Sequence, residues 1–164
     1  MGGLKGARAV NIRLATMEDL DAVTEIVQRT IREQYPHYYP AGAVALFLDG
    51  HSAANIGADV EKNIVWLAED DADAPVGTIT IDGNHLTRLY VLPSAQGCGY
   101  GGAMLDFAEA QVAKNHDTAV LETTPLGRLI YRKRGYVETD YHLMWAENGD
   151  LLAYDDMEKV LRHG

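Results

Sequence analysis

Residues 89–102 read Leu89-Tyr90-Val91-Leu92-Pro93-Ser94-Ala95-Gln96-Gly97-Cys98-Gly99-Tyr100-Gly101-Gly102, and this stretch decides the fold. The apolar run before Pro93 is a strand, and the proline stops it because it has no N–H for a sheet ladder. Gly97, Gly99 and Gly101 fall within five positions, and Met104, Leu105, Phe107, Ala108 and Val112 then carry a helix. Glycines let backbone approach a ligand closely. The free N–H groups and dipole at a helix N-terminus favour phosphate. Strand, glycine turn and helix together form a candidate pyrophosphate cradle, with a plain flexible turn as the alternative.

Upstream, residues 85–92 complete the strand begun here, and two more strands precede it at 64–69 and 76–81. The acidic turn 70–73 and Asp82-Gly83-Asn84 separate them, so the three form an antiparallel meander. Further back, Val10, Ile12 and Leu14 alternate with polar residues as a short strand. Thr16 opens a helix with Asp19 three residues on, a capping-box pattern. Leu20, Val23, Val27 and Ile31 recur at helical spacing, and the helix ends before Pro36. Residues 43–48 form a short helix, and Ser52 caps another that reaches about Val60. Downstream, 118–123 is a strand and 126–134 a helix that stops at Gly135. Residues 141–147 and 151–157 flank Asn148-Gly149, a hairpin signal. The order predicts an α+β fold around one mostly antiparallel mixed sheet flanked by helices.

The 164 residues suit one domain over 10–164, with 1–9 as a flexible lead-in. Apolar residues make up 47%, enough for a core, and 24 acidic against 14 basic side chains give a net charge of −10. Such a surface repels nucleic acid and anionic membranes and favours cationic partners. No apolar run reaches the length of a membrane span, and the N-terminus lacks a signal peptide's apolar stretch. Cys98 stands alone, so no intrachain disulfide forms, which fits a reducing compartment and a cytoplasmic location. The histidines are scattered, and no metal site is expected.

Residues 97–102 also satisfy G-x-G-x-x-G, with Glu122 about twenty positions on, as in dinucleotide-binding turns. A nicotinamide-dependent oxidoreductase is therefore an alternative. Four residues separate the strand from the first glycine, however, and the chain ends in a hairpin where a doubly wound sheet needs parallel strands. The competing pattern is Gln-x-x-Gly-x-Gly at Gln96, Gly99 and Gly101. Downstream, Tyr131-Arg132-Lys133-Arg134-Gly135-Tyr136 reads Tyr-x-x-x-Gly-aromatic. In these two motifs and in its element order from Val10 to Val160, the sequence resembles the GNAT (GCN5-related N-acetyltransferase) family.

The resemblance implies transfer of an acetyl group from acetyl-CoA to an amine by direct attack. It also implies a sheet splayed at the strand before the glycine turn, with pantetheine in the gap. The cofactor-binding set it indicates is Leu89, Tyr90 and Val91 on the strand, Gln96, Gly97, Cys98, Gly99, Tyr100, Gly101 and Gly102 in the turn, and Thr124. Thr124 stands where the family often has asparagine. Leu89 and Val91 would act through backbone, as would Cys98. Tyr131 would be the general acid that protonates the departing thiolate. His85 is the histidine candidate for the base, beside Asp82, Glu69 and Glu122, since its ordinary pKa suits the task.

The acceptor pocket is expected from residues 35–60, which hold His37, Tyr38, Tyr39, Phe47 and His51. The acceptor is a small-molecule or peptide amine. A homodimer through a sheet edge or the C-terminal strand is compatible with the pattern, and an acyl-CoA-binding sensor without catalysis is the other alternative.

Overall fold

A computed structural model of the chain describes residues 10–161; the expected lead-in, 1–9, lies outside them. Seven strands form one sheet: β1 (Asn11–Leu14), β2 (Val65–Glu69), β3 (Pro75–Asp82), β4 (His85–Val91), β5 (Thr118–Thr123), β6 (Val137–Trp145) and β7 (Leu151–Val160). Their spatial order is β1-β2-β3-β4-β5-β7-β6. Only β4 and β5 run parallel; the other pairs are antiparallel. This is the expected mixed sheet, not a doubly wound one. The helices are α1 (Leu20–Gln34), α2 (Ala41–Gly50), α3 (Ala53–Glu61), α4 (Tyr100–Ala113) and α5 (Pro125–Lys133).

Local chemistry sets the element ends. The Thr16 N–H donates to Asp19 Oδ2 at 2.8 Å, half of the predicted capping box. Ser52 Oγ accepts from the Asn55 N–H at 3.2 Å and caps α3. At the end of α5 the Tyr136 N–H donates to the Tyr131 carbonyl at 3.1 Å and the Gly135 N–H to Arg132 at 3.1 Å. Gly135 holds φ +96°, and the pair of bonds is a Schellman stop. The β6–β7 hairpin differs from expectation. β6 ends at Trp145 and begins already at Val137, and the connection is a longer loop closed by Ala146 N–H donating to the Asp150 carbonyl at 2.8 Å.

Two apolar clusters fill the two faces of the sheet. One holds Leu86, Met104, Leu105, Leu121 and Met157 beneath α4. The other holds Val23, Ile26, Val27, Ile56 and Tyr90 beneath α1 and α3. Leu86 and Tyr90 are both even-numbered residues of one strand, yet they lie on opposite faces. The cause is a β-bulge. Thr80 pairs with Thr87 and Thr78 with Tyr90, so β4 spends one residue more than β3. Arg88 sits in the bulge at φ +48°. Beyond it β4 bends away from β5. The two strands pair only at His85–Val120 and Leu86–Leu121, and a gap opens where the sequence resemblance calls for one.

Candidate active site

The gap is the floor of a cleft of about 890 Å³. Leu92 N–H donates to the Val76 carbonyl at 2.8 Å, so the alternation of an antiparallel ladder turns the backbone groups of Val91 away from β3 and into the gap. Gln96 Nε2 donates to the Val91 carbonyl at 3.0 Å, and Gln96 also exchanges side-chain bonds with Gln34 at 2.8 and 2.9 Å. Gln96 therefore fixes the upper end of the slot. Leu89 and Val91 pack toward the α4 cluster while Tyr90 faces the other, so the three strand residues reach the cleft in different ways.

The glycine turn closes one end. Gly97 and Gly99 hold φ +76° and +93°, and a Cβ at either would meet open space. Left-handed backbone, not crowding, explains these two glycines. The first intrahelical bond of α4 runs from Ala103 N–H to the Gly99 carbonyl at 3.1 Å. Gly101 and Gly102 consequently present N–H groups without a partner one turn earlier. The Tyr100 side chain is only 3% exposed and belongs to the core, so that residue can meet a ligand only through its backbone. Cys98 is exposed, and its Sγ lies 3.7 Å from the Gln96 carbonyl. Arg134 stands beside Gly102 and pairs with Asp106. Turn, helix start and open strand edge fit an elongated ligand with a diphosphate at one end.

Tyr131 lines the far part of the cleft. The Schellman stop brings Tyr136 back beneath it, ring against ring at 5.6 Å and 73°. Tyr136 is itself held by Glu109 at 3.2 Å, and Glu109 accepts from Lys159 at 2.8 Å. The Tyr-x-x-x-Gly-aromatic spacing is thus the physical support of one phenol. Burial, and then the nearby Tyr35 phenol, push the Tyr131 pKa up to about 12. The hydroxyl keeps its proton at neutral pH.

Thr124 is the N-cap residue of α5 and lines the cleft. Tyr39 lines the same cleft from the segment that follows α1. His85 does not line the cleft. Its Nε2 bonds Glu122 Oε2, and Glu122 does line it. The bond raises the His85 pKa, opposed by burial and helped by Asp82 and Asp156. The same bond lowers that of Glu122 against burial. Of the other base candidates, Glu69 is bound to Arg13 at the β1–β2 edge. Asp82, at the end of β3, faces His85 without lining the cleft. Sequence reasoning missed Arg88, whose guanidinium is clamped by Asp59 and His51, and Tyr154 and Met144, which complete the cleft wall from β7 and β6. No short-range pattern marks those residues.

Residues 61–138 match the acetyltransferase (GNAT) domain, a segment that contains the bulge, the cradle, Tyr131 and the Schellman stop. Peptidyl-lysine N-acetyltransferase YjaB of Escherichia coli is 31% identical over 75 residues, 46% of this chain and 50% of the relative. The alignment therefore spans about half the length of that relative. A GCN5-related N-acetyltransferase from Rhodopseudomonas palustris superposes with a TM-score of 0.84 at 23% identity, covering 94% of this chain and 98% of the other. PaiA N-acetyltransferase from Thermoplasma acidophilum, solved in complex with coenzyme A, gives 0.73 at 21%, covering 93% and 99%. These structural likenesses extend the fold of the family over the described chain.

Proposed function

We propose that the protein transfers an acetyl group from acetyl-CoA to a primary amine by direct attack, within a single domain spanning 10–164. The observation that carries this is the continuous path from the α4 N-terminus, along the parted edge of β4, to Tyr131. The pyrophosphate takes N–H groups of the turn, and the pantetheine arm lies along Leu89 and Val91. Acetyl-CoA supplies the thioester. The amine nitrogen attacks the acetyl carbonyl carbon, the C–N bond forms and the C–S bond breaks. Tyr131 gives its proton to the leaving sulfur. Glu122, held by His85, takes the proton that the amine loses. PaiA with its bound coenzyme A and the peptidyl-lysine chemistry of YjaB support the same reading.

A homodimer is part of the proposal. Tyr141, Leu143 and Trp145 on edge strand β6 are 59%, 47% and 67% exposed, and burying such an edge removes an aggregation hazard. The cytoplasm, where the lone exposed thiol of Cys98 stays reduced, is the proposed location. Among the described residues no helix is long and apolar enough to cross a membrane.

Thermal unfolding with acetyl-CoA, CoA or NAD tests the core of the reading. A ligand at a hundredfold excess over its dissociation constant adds about 2.7 kcal/mol to the folded state. A rise with acetyl-CoA and CoA but not NAD is expected. A rise with NAD alone would overturn the transferase.

A further inference from the structure

The acceptor end of the cleft is built from rings. Tyr35 is the hub, with centroid distances of 4.8 Å to Phe47, 5.4 Å to Tyr39 and 6.3 Å to Tyr90. His51 stands edge-on to Tyr90 at 5.9 Å. Among the described residues that line the cleft, Glu122 is the only carboxylate. The lining cations are Arg88 and Arg134. Arg88 is 11% exposed and engaged by Asp59 and His51, and Arg134 stands at the opposite end beside Gly102. No cation at the acceptor end is therefore available to hold a substrate carboxylate.

This end is also roofed. α1 packs over β3 and β4, whereas the first turn of α2 is pinned to the β6–β7 loop, where the Gly42 N–H donates to Asp150 Oδ2 at 2.8 Å. Since β5 lies between β4 and β7 in the sheet, the connecting segment must pass above the gap. Tyr39, on that segment, lines the same cleft as Thr124. An acceptor amine at this end therefore enters beneath a strap of the chain.

Resting on the transferase reading, we propose that the acceptor is an alkylammonium on a slender unbranched arm, with no carboxylate beside its amine. Ring faces attract an ammonium ion, and Glu122 does so directly and then takes its proton. A carboxylate next to the amine would be driven into an aromatic chamber with no cation, facing Glu122, and its desolvation would go uncompensated. Two sources share the favoured chemistry: the lysine side chain of an extended peptide, and a free diamine.

The test measures initial rates of CoA release by the purified full chain. The probes are 1,5-diaminopentane, Nα-acetyl-lysine methylamide, alanine and glutamate. Both carboxylate-free amines should exceed both α-amino acids in kcat/KM by at least about tenfold, and their ratio tells the two sources apart. Glu122→Gln should lower kcat/KM for the alkylamines by about 100-fold while keeping the acetyl-CoA melting shift, which shows that the variant folds. Preference for an α-amino acid overturns the proposal, and so does a protein stabilised by acetyl-CoA that acetylates neither alkylamine. Absence of any acetyl-CoA shift removes the transferase reading itself, and the proposal with it.

Discussion

Nε of Arg88 donates to Nδ1 of His51 at 2.9 Å, which fixes the neutral ring with its proton on Nε2. Burial, and then the charge of Arg88, lower the His51 pKa from its ordinary 6.5 to about 4. Between those values the unfolded chain binds a proton that the folded chain does not. This ring therefore makes stability fall as pH drops from 6.5 toward 4. Urea unfolding at pH 7 and pH 5 should show that loss in the parent protein and a smaller one in His51→Gln. Equal losses would mean that His51 is not held neutral.

Tyr131→Phe removes one oxygen from a phenol whose ring is already supported by Tyr136. We expect kcat to fall by about 100-fold, within the range for loss of a general acid. The acetyl-CoA melting shift should persist. Unchanged kcat would take the proton-donor role away from Tyr131.

The His85–Glu122 bond keeps the carboxyl ionised to lower pH than it would be alone. In His85→Gln the Glu122 pKa should rise, and the acid limb of the kcat/KM profile should move to higher pH. The linkage to stability has the opposite sign from that of His51. With the His85 pKa raised, the stabilisation is present below 6.5 and is lost as pH rises through the folded value. A pH–rate profile that overlays the parent's would exclude Glu122 as the proton acceptor acting through His85.

Gly42 lies directly against the Asn148 and Asp150 side chains of the β6–β7 loop. A Cβ there would lie 2.2 Å from Asn148 Oδ1 and 2.8 Å from Asp150 Oδ2. Gly42→Ala must displace the Asn148 and Asp150 side chains, breaks the tie between α2 and the β6–β7 loop, and should cost about 1 kcal/mol. KM for the amine should rise, with little change in KM for acetyl-CoA, because the strap covers one substrate and not the other. A parallel rise in both constants would place the strap over the whole cleft.

Much of this architecture is legible in short windows. β5 falls at the predicted Thr118–Thr123, because alternation and flanking turn residues mark it at both ends. The α5 stop is legible because glycine at its left-handed position follows directly from backbone sterics. The cradle is legible for the same local reason. The bulge at Arg88 is not, since nothing in His85-Leu86-Thr87-Arg88 departs from ordinary strand composition. The tie from Gly42 to Asp150 spans 108 positions and exists only once the sheet has formed. Glu122 and His85 are each visible as candidates, but their pairing depends on β4 and β5 lying parallel in one register.

The extra residue at Arg88 has a consequence for how this chain tolerates change in length. Deleting it would restore strict two-residue alternation along β4 and leave Leu86 and Tyr90, then three residues apart, on the opposite faces that they already occupy. The straightened strand would then offer β5 a matching edge over its full length, and the sheet would zip shut through the site. A one-residue indel, ordinarily a surface event, is here equivalent to erasing the cavity. Among natural variants of this chain, length should therefore drift freely in the 70–73 turn and stay fixed to the residue between Thr87 and Tyr90.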